Sequence, residues 1–183
     1  MRGKRQARWM TGLFWAVLIA TVLVLVAMRI WAKPEVRYQG AVLPIFDARP
    51  GGYDLDAART YLTAISDDEK RIYLDVLQKL DLAFPLLLAV SVGWSIRRFV
   101  PREWGRARYL LPLVVIPALI TDYVENLAVA GILTSSPADL SPDLVRFASS
   151  ATRIKFAFLA LEFIVIAVLI AMFAFRRWMI RKP

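Results

Sequence analysis

Two acids and an amide interrupt an otherwise apolar run. Asp122, Glu125 and Asn126 fall within "LITDYVENLAVAG" (119–131). On a helix these positions are i, i+3 and i+4, so their side chains share one face. A further acid, Glu162, sits inside the apolar run "FAFLALEFIVIAVLIAMFAF" (156–175), and Lys155 lies seven residues before the acid, on the same face. A carboxylate turned toward lipid is disfavoured by ~2.5 kcal/mol or more, so these faces must look inward. Grouped carboxylates in a low-dielectric site cannot all stay charged without compensation. Three solutions stand open: protonation of one or two, pairing with Lys155 or an arginine, or a bound oxygen-ligated cation. A neutral carboxylic acid beside an ionised one can shuttle a proton on an apolar substrate, and an ionised one can hold an amine. Asp122, Glu125 and Glu162 are therefore the candidate acid/base or ligand-binding groups. The plainer alternative is polar glue between helices, and it applies above all to Asn126.

What the chain lacks narrows the chemistry further. Its 183 residues include no cysteine and no histidine. Disulfides, thiolate nucleophiles, imidazole bases and the usual zinc and haem ligands are excluded. No metal site is assigned from the sequence, and no cofactor is identifiable in it.

The elements that must position these groups are membrane spans. Hydrophobic residues make up 58% of the chain and mean hydropathy is +0.52, above the ~45–50% of an ordinary soluble domain. The excess gathers into four runs, predicting an all-α, four-helix transmembrane bundle with spans at about 9–31, 79–97, 109–133 and 152–176. The first run follows a basic segment as a signal peptide would, but it is long and Arg29-Ile30-Trp31 offers no small-x-small cleavage pattern, so an uncleaved anchor is expected. Pro85, Pro112 and Pro117 are tolerated inside membrane helices. Trp9, Trp15, Trp31, Trp94, Trp104 and Trp178 fall mostly near span ends and read as interfacial anchors.

Charge sets the orientation. Thirteen of the 24 basic residues cluster in segments 2–8, 97–108 and 176–182, whereas 134–150 carries only Arg146 and 32–78 is net acidic. Both termini are thus expected on the cytoplasmic side of a bacterial inner (plasma) membrane. The net charge of +9 is explained by this placement, and no basic patch interleaved with exposed aromatics points to nucleic acid. The whole chain reads as one membrane domain, with 32–78 a partly helical extracytoplasmic cap too small for its own core. Within it, "SDDE" (66–69) is a capping-box start that feeds a helix into the second span, and a short helix is expected at 55–65. "PIFDARPGGYD" (44–54), with its prolines and Gly-Gly, must be a shaped turn.

Asp122 lies eleven residues from Leu133, and Glu162 a similar distance from Ala151, so both sit ~16 Å below the outer boundary. Toward that side come Lys155, Arg29 at the end of the first span and Asp81 at the mouth of the second. The turn adds Asp47, Arg49 and Tyr53, with Asp47 and Arg49 expected to pair with each other or with the charges beneath, as a lid or simply as a packed turn. These line a path from the outer surface to mid-depth. The inner half carries no ionisable relay, which argues against a cation or proton translocator.

"FDARPGGY" (46–53), "LDLAFP" (80–85) and "DYVEN" (122–126) together resemble the F-D-x-R-P-x-G-Y, L-D-x-x-F-P and D-x-x-E-N motifs of an uncharacterised group of small bacterial four-span inner-membrane proteins. The resemblance covers roughly residues 44–133 and implies no particular activity. A looser likeness, of architecture only, is to the sterol-isomerase and sigma-2-receptor superfamily, whose members hold buried acids in a lipid-facing cavity.

Two functions follow, and the sequence leaves both open. One is an outward-opening pocket that binds a lipid-like or small amphipathic molecule and acts on it by acid/base chemistry. The other is a non-catalytic accessory subunit, its buried acids serving as packing contacts and its partner another membrane protein. In either case the lipid bilayer is the surrounding partner.

Overall fold

The capping box at Ser66 marks where the cap hands over to the second span. Ser66 Oγ accepts from Glu69 N while Glu69 Oε2 accepts from Ser66 N, which satisfies two orphan donors at the helix start. In the computed structural model, which describes residues 2–30 and 34–180 (side chains of 8–30 and 34–180), that helix runs on to Phe99. In chain order the helices are α1 (Arg2–Ile30), α2 (Leu55–Ala64), α3 (Asp67–Phe99), α4 (Ala107–Thr134) and α5 (Pro142–Ile180). Four of these, α1, α3, α4 and α5, are long and apolar enough to cross a membrane. Among the described residues, strand is confined to a ribbon pairing Arg37–Tyr38 with Ala41–Val42, so the chain is all-α.

The helices overrun the spans read from hydropathy. α3 starts at Asp67 and α5 at Pro142 because each carries amphipathic turns beyond its apolar run, and these turns pack the cap. α5 opens with proline at its first position, while Ser141 Oγ accepts from Leu144 N at 3.4 Å. Trp31 and the basic side chains of 2–7 and 181–182 lie outside the described residues. Trp9, Trp15 and Trp178 are exposed on the outside of the bundle.

α4 packs along α5, α1 lies on α3, and α3 touches both α4 and α5. Two apolar cores form. One joins the cap to the adjoining helix ends through Phe46, Tyr61, Leu77, Val129, Ile132 and Val145. The other holds the opposite end through Ala89, Val92, Ile96, Val115 and Leu169. α3, α4 and α5 each pass from the first core through a polar stretch into the second.

The cap has no core separate from the helices. Phe46 lies 4.7 Å from both Tyr53 and Tyr61, Tyr73 of α3 completes the cluster, and Arg49 lays its guanidinium 5.1 to 5.6 Å from three of these rings. Arg49 also donates to Pro44 O, at 2.6 and 3.0 Å. Its expected ion pair with Asp47 does not form, because stacking and the backbone carbonyl already use the guanidinium plane. Asp47 instead accepts from the Tyr73 hydroxyl at 2.7 Å, and that hydroxyl accepts from Phe46 N at 3.0 Å.

Gly52 clamps the turn to α5. At φ +78° a side chain would be strained, and an added Cβ would lie 2.5 Å from Ser149 Oγ and 2.8 Å from Arg153 Cδ. The closeness lets Tyr53 N donate to Ser149 Oγ at 2.8 Å. Gly52→Ala should therefore destabilise the fold by more than about 1 kcal/mol. Gly51→Ala, with open space around it, should not, and thermal unfolding in mild detergent compares the two.

Candidate functional site

Between the two apolar cores lies a polar layer built by the middle turns of α3, α4 and α5. Its anchor is Lys155, 6% exposed at its side chain. The Lys155 ammonium contacts the Glu125 carboxylate directly and stands 3.8 Å from Asp122 Oδ2. Glu125 is fully buried and also accepts from the Thr152 hydroxyl, which shares its proton with Ala148 O at 3.1 Å. Of the three compensations open to grouped carboxylates, the fold uses pairing with Lys155.

Asn126 serves another neighbour. Its side-chain Nδ2 donates to Asp81 O at 3.3 Å, and its backbone carbonyl accepts from Gln78 Nε2 at 3.0 Å, tying α4 to α3. Tyr123 adds a bond to Leu82 O at 2.9 Å. Asn126 lines a groove between α3 and α4 that is distinct from the space in front of Lys155.

In front of Lys155 is a cavity of about 280 Å³. Its polar atoms come from Arg29 on α1, Asp47 on the turn, Asp81 on α3, Asp122 on α4 and Lys155 on α5. Its walls are apolar, with Leu25 and Met28 on one side, Phe156 and Leu159 on the other, and Phe84 between. Residues of both α1 and α5 line this space; α1 rests on α3, and α5 packs on α4 and α3. The size approaches the ~300 Å³ lower end of small-molecule pockets.

The sequence-derived site thus divides. Arg29, Asp47, Asp81, Asp122 and Lys155 converge on one cavity. Glu125 stands behind Lys155 and holds it. Glu162 is buried in a separate crevice of about 10 Å³ that also touches Asp122 and Leu159, scarcely the space of one water. Arg49 and Tyr53 belong to the aromatic cluster of the cap. Two further residues belong to the site, Tyr73, which donates to Asp47, and Thr152, which donates to Glu125. Thr152 precedes Lys155 by three residues on one helical face, which is the signal the sequence offers for it.

Several acceptors in this region lack donors. Asp47 Oδ1, Asp122 Oδ1 and Glu162 Oε1 are buried without a hydrogen-bond partner, and the Asp81 carboxylate, 6% exposed, has none among the described residues. Burial pushes the Asp47 carboxyl above the ordinary carboxylate range, against the pull of the Lys155 ammonium and the Tyr73 hydroxyl. No group of three or more acids among the described residues is placed to hold a metal ion. The acids are spread around the cavity instead of meeting at one point. No family model, curated protein or solved structure matches the chain.

Lys155→Met should leave Glu125 and Asp122 uncompensated and cost about 3–5 kcal/mol. Adding Glu125→Gln should recover part of that loss. Unfolding of the two single variants and the double variant in mixed micelles measures the coupling.

Proposed function

We propose that this is a multi-pass protein of the bacterial inner membrane, with both termini cytoplasmic and the 32–78 cap outside, whose pocket binds a lipid-like or small amphipathic molecule. The orientation rests on the basic segments at 2–8, 97–108 and 176–182. The pocket opens at mid-depth toward the cap side. The molecule that fits it has an apolar body, for the walls formed by Leu25, Phe84, Phe156 and Leu159, and a head that supplies hydrogen-bond donors, such as an amine or hydroxyls. Asp122, touching both the cavity and the Glu162 crevice, is the group best placed for acid/base chemistry on that head.

One observation carries this reading: carboxylates from three separate elements, Asp47, Asp81 and Asp122, face one apolar-walled cavity, and Asp47 Oδ1 and Asp122 Oδ1 are buried there with no hydrogen-bond partner among the described residues. Each belongs to one of the three segments behind the resemblance to the four-span inner-membrane group, which favours membership of that group. The architectural likeness to the sterol-isomerase superfamily remains an analogy.

A second reading, an accessory subunit of a membrane complex, has its own support in the ties from Lys155 to Glu125 and from Asn126 to Asp81 O, which bind helix to helix. The two separate on a binding experiment. n-Dodecylamine should raise the melting temperature of the detergent-solubilised protein more than n-dodecanoate does. Asp122→Asn should weaken amine binding by about tenfold or more, the worth of a charged hydrogen bond. Unchanged binding in both Asp122→Asn and Asp81→Asn would refute the pocket reading. Loss of folded yield in both, with a membrane protein co-purifying from wild type, would favour the subunit.

A further inference from the structure

The opposite end of the helices carries a second cavity, independent of the pocket reading. It measures about 440 Å³, and four arginines line it: Arg97 and Arg98 at the end of α3, Arg102 in the following turn, and Arg108 near the start of α4. No carboxylate lines it. The neighbouring Glu103 is engaged by Arg176, so its charge is already spent. Among the described residues none of the four arginines forms an ion pair or a side-chain hydrogen bond. Arg97 lies over the Tyr109 ring at 4.7 Å, and the Nε of Arg108 is shielded from solvent with no acceptor. Four fixed positive charges around one hollow, one with a buried unmet donor, call for an anion.

The walls say which anion. Met10 of α1, Trp94 and Phe99 of α3 and Phe173 of α5 form the apolar side, with Phe99 and Phe173 edge to face at 5.6 Å. A free, fully hydrated phosphate gains nothing from such walls. A lipid phosphodiester meets both surfaces, with its nonbridging oxygens matching the guanidinium fork and its acyl chains following the apolar side into the bilayer. We infer that the cavity formed by Arg97, Arg98, Arg102, Arg108 and the apolar ends of α1, α3 and α5 is a binding site for the headgroup of an acidic phospholipid.

The test is lipid retention. The full chain is extracted in non-ionic detergent with equal phosphatidylglycerol and phosphatidylcholine, and bound lipid is counted by native mass spectrometry. Wild type should retain the acidic lipid in preference on the order of tenfold, as two or more basic contacts at a membrane surface provide. Arg97→Gln/Arg108→Gln should lose the preference and Arg97→Lys/Arg108→Lys should keep part of it. Arg106→Gln, an exposed arginine that does not line the cavity, should leave it unchanged. Equal retention of the two lipids by wild type overturns the inference. So does an equal loss in Arg106→Gln, which would mean diffuse surface charge, or displacement of the lipid by millimolar inorganic phosphate, which would mean a free-anion site. Should the glutamine double variant fail to fold, the wild-type ratio and the lysine double variant decide.

Discussion

The structure turns on a single buried cation. Lys155, withdrawn from solvent in the middle of α5, makes the acids of α4 tolerable, and they in turn make it tolerable. Remove either side and a buried charge is left uncompensated, which is strongly disfavoured. The pairing also fixes geometry. Glu125 can meet Lys155 and Thr152 together only at one rotation and one height of α4 against α5. That register aims Asp122 at the space in front of the lysine.

Much of this arrangement was legible in the sequence, and the departures have physical causes. The capping box at Ser66, the short helix near 55–65 and the four long apolar helices rest on local signals that tertiary packing did not override. Periodicity also identified one inward face for Asp122, Glu125 and Asn126. It did not say that the face would be shared between neighbours. At 100° per residue, positions 125 and 126 diverge enough for one to address α5 and the next α3. Glu125 accordingly meets Lys155 while Asn126 meets the backbone of Asp81. Arg49 departs from simple charge pairing because three aromatic rings surround its guanidinium. Phe46 and Tyr53 share the turn with Arg49, but Tyr61 comes from α2, and sequence spacing alone does not fold the turn so that all three rings meet the guanidinium.

The cap is stable for reasons that lie mostly outside it. Phe46 and Tyr61 bury against Tyr73, Val129, Ile132 and Val145, which belong to the long helices. Tyr53 is held through Ser149 on α5, and Asp47 through Tyr73 on α3. The cap is thus a loop folded over helix ends, and its turn carries Asp47 to the cavity because those ends present fixed partners. The two apolar cores on either side of the polar layer work likewise. They hold three helices at both ends, so the middle can afford unsatisfied oxygens.

α1 stands apart from this scheme. Only 6% of its most apolar window is buried, and it leans on α3 through contacts such as Phe14 on Trp94 and the Thr21–Ser91 hydrogen bond at 3.0 Å. Yet Leu25, Met28 and Arg29 of that helix form one wall of the central hollow. In a bilayer, a helix with so little of its surface covered by protein would take its tilt partly from the thickness of the surrounding lipid. One wall of the hollow would then answer to the membrane as well as to the polypeptide.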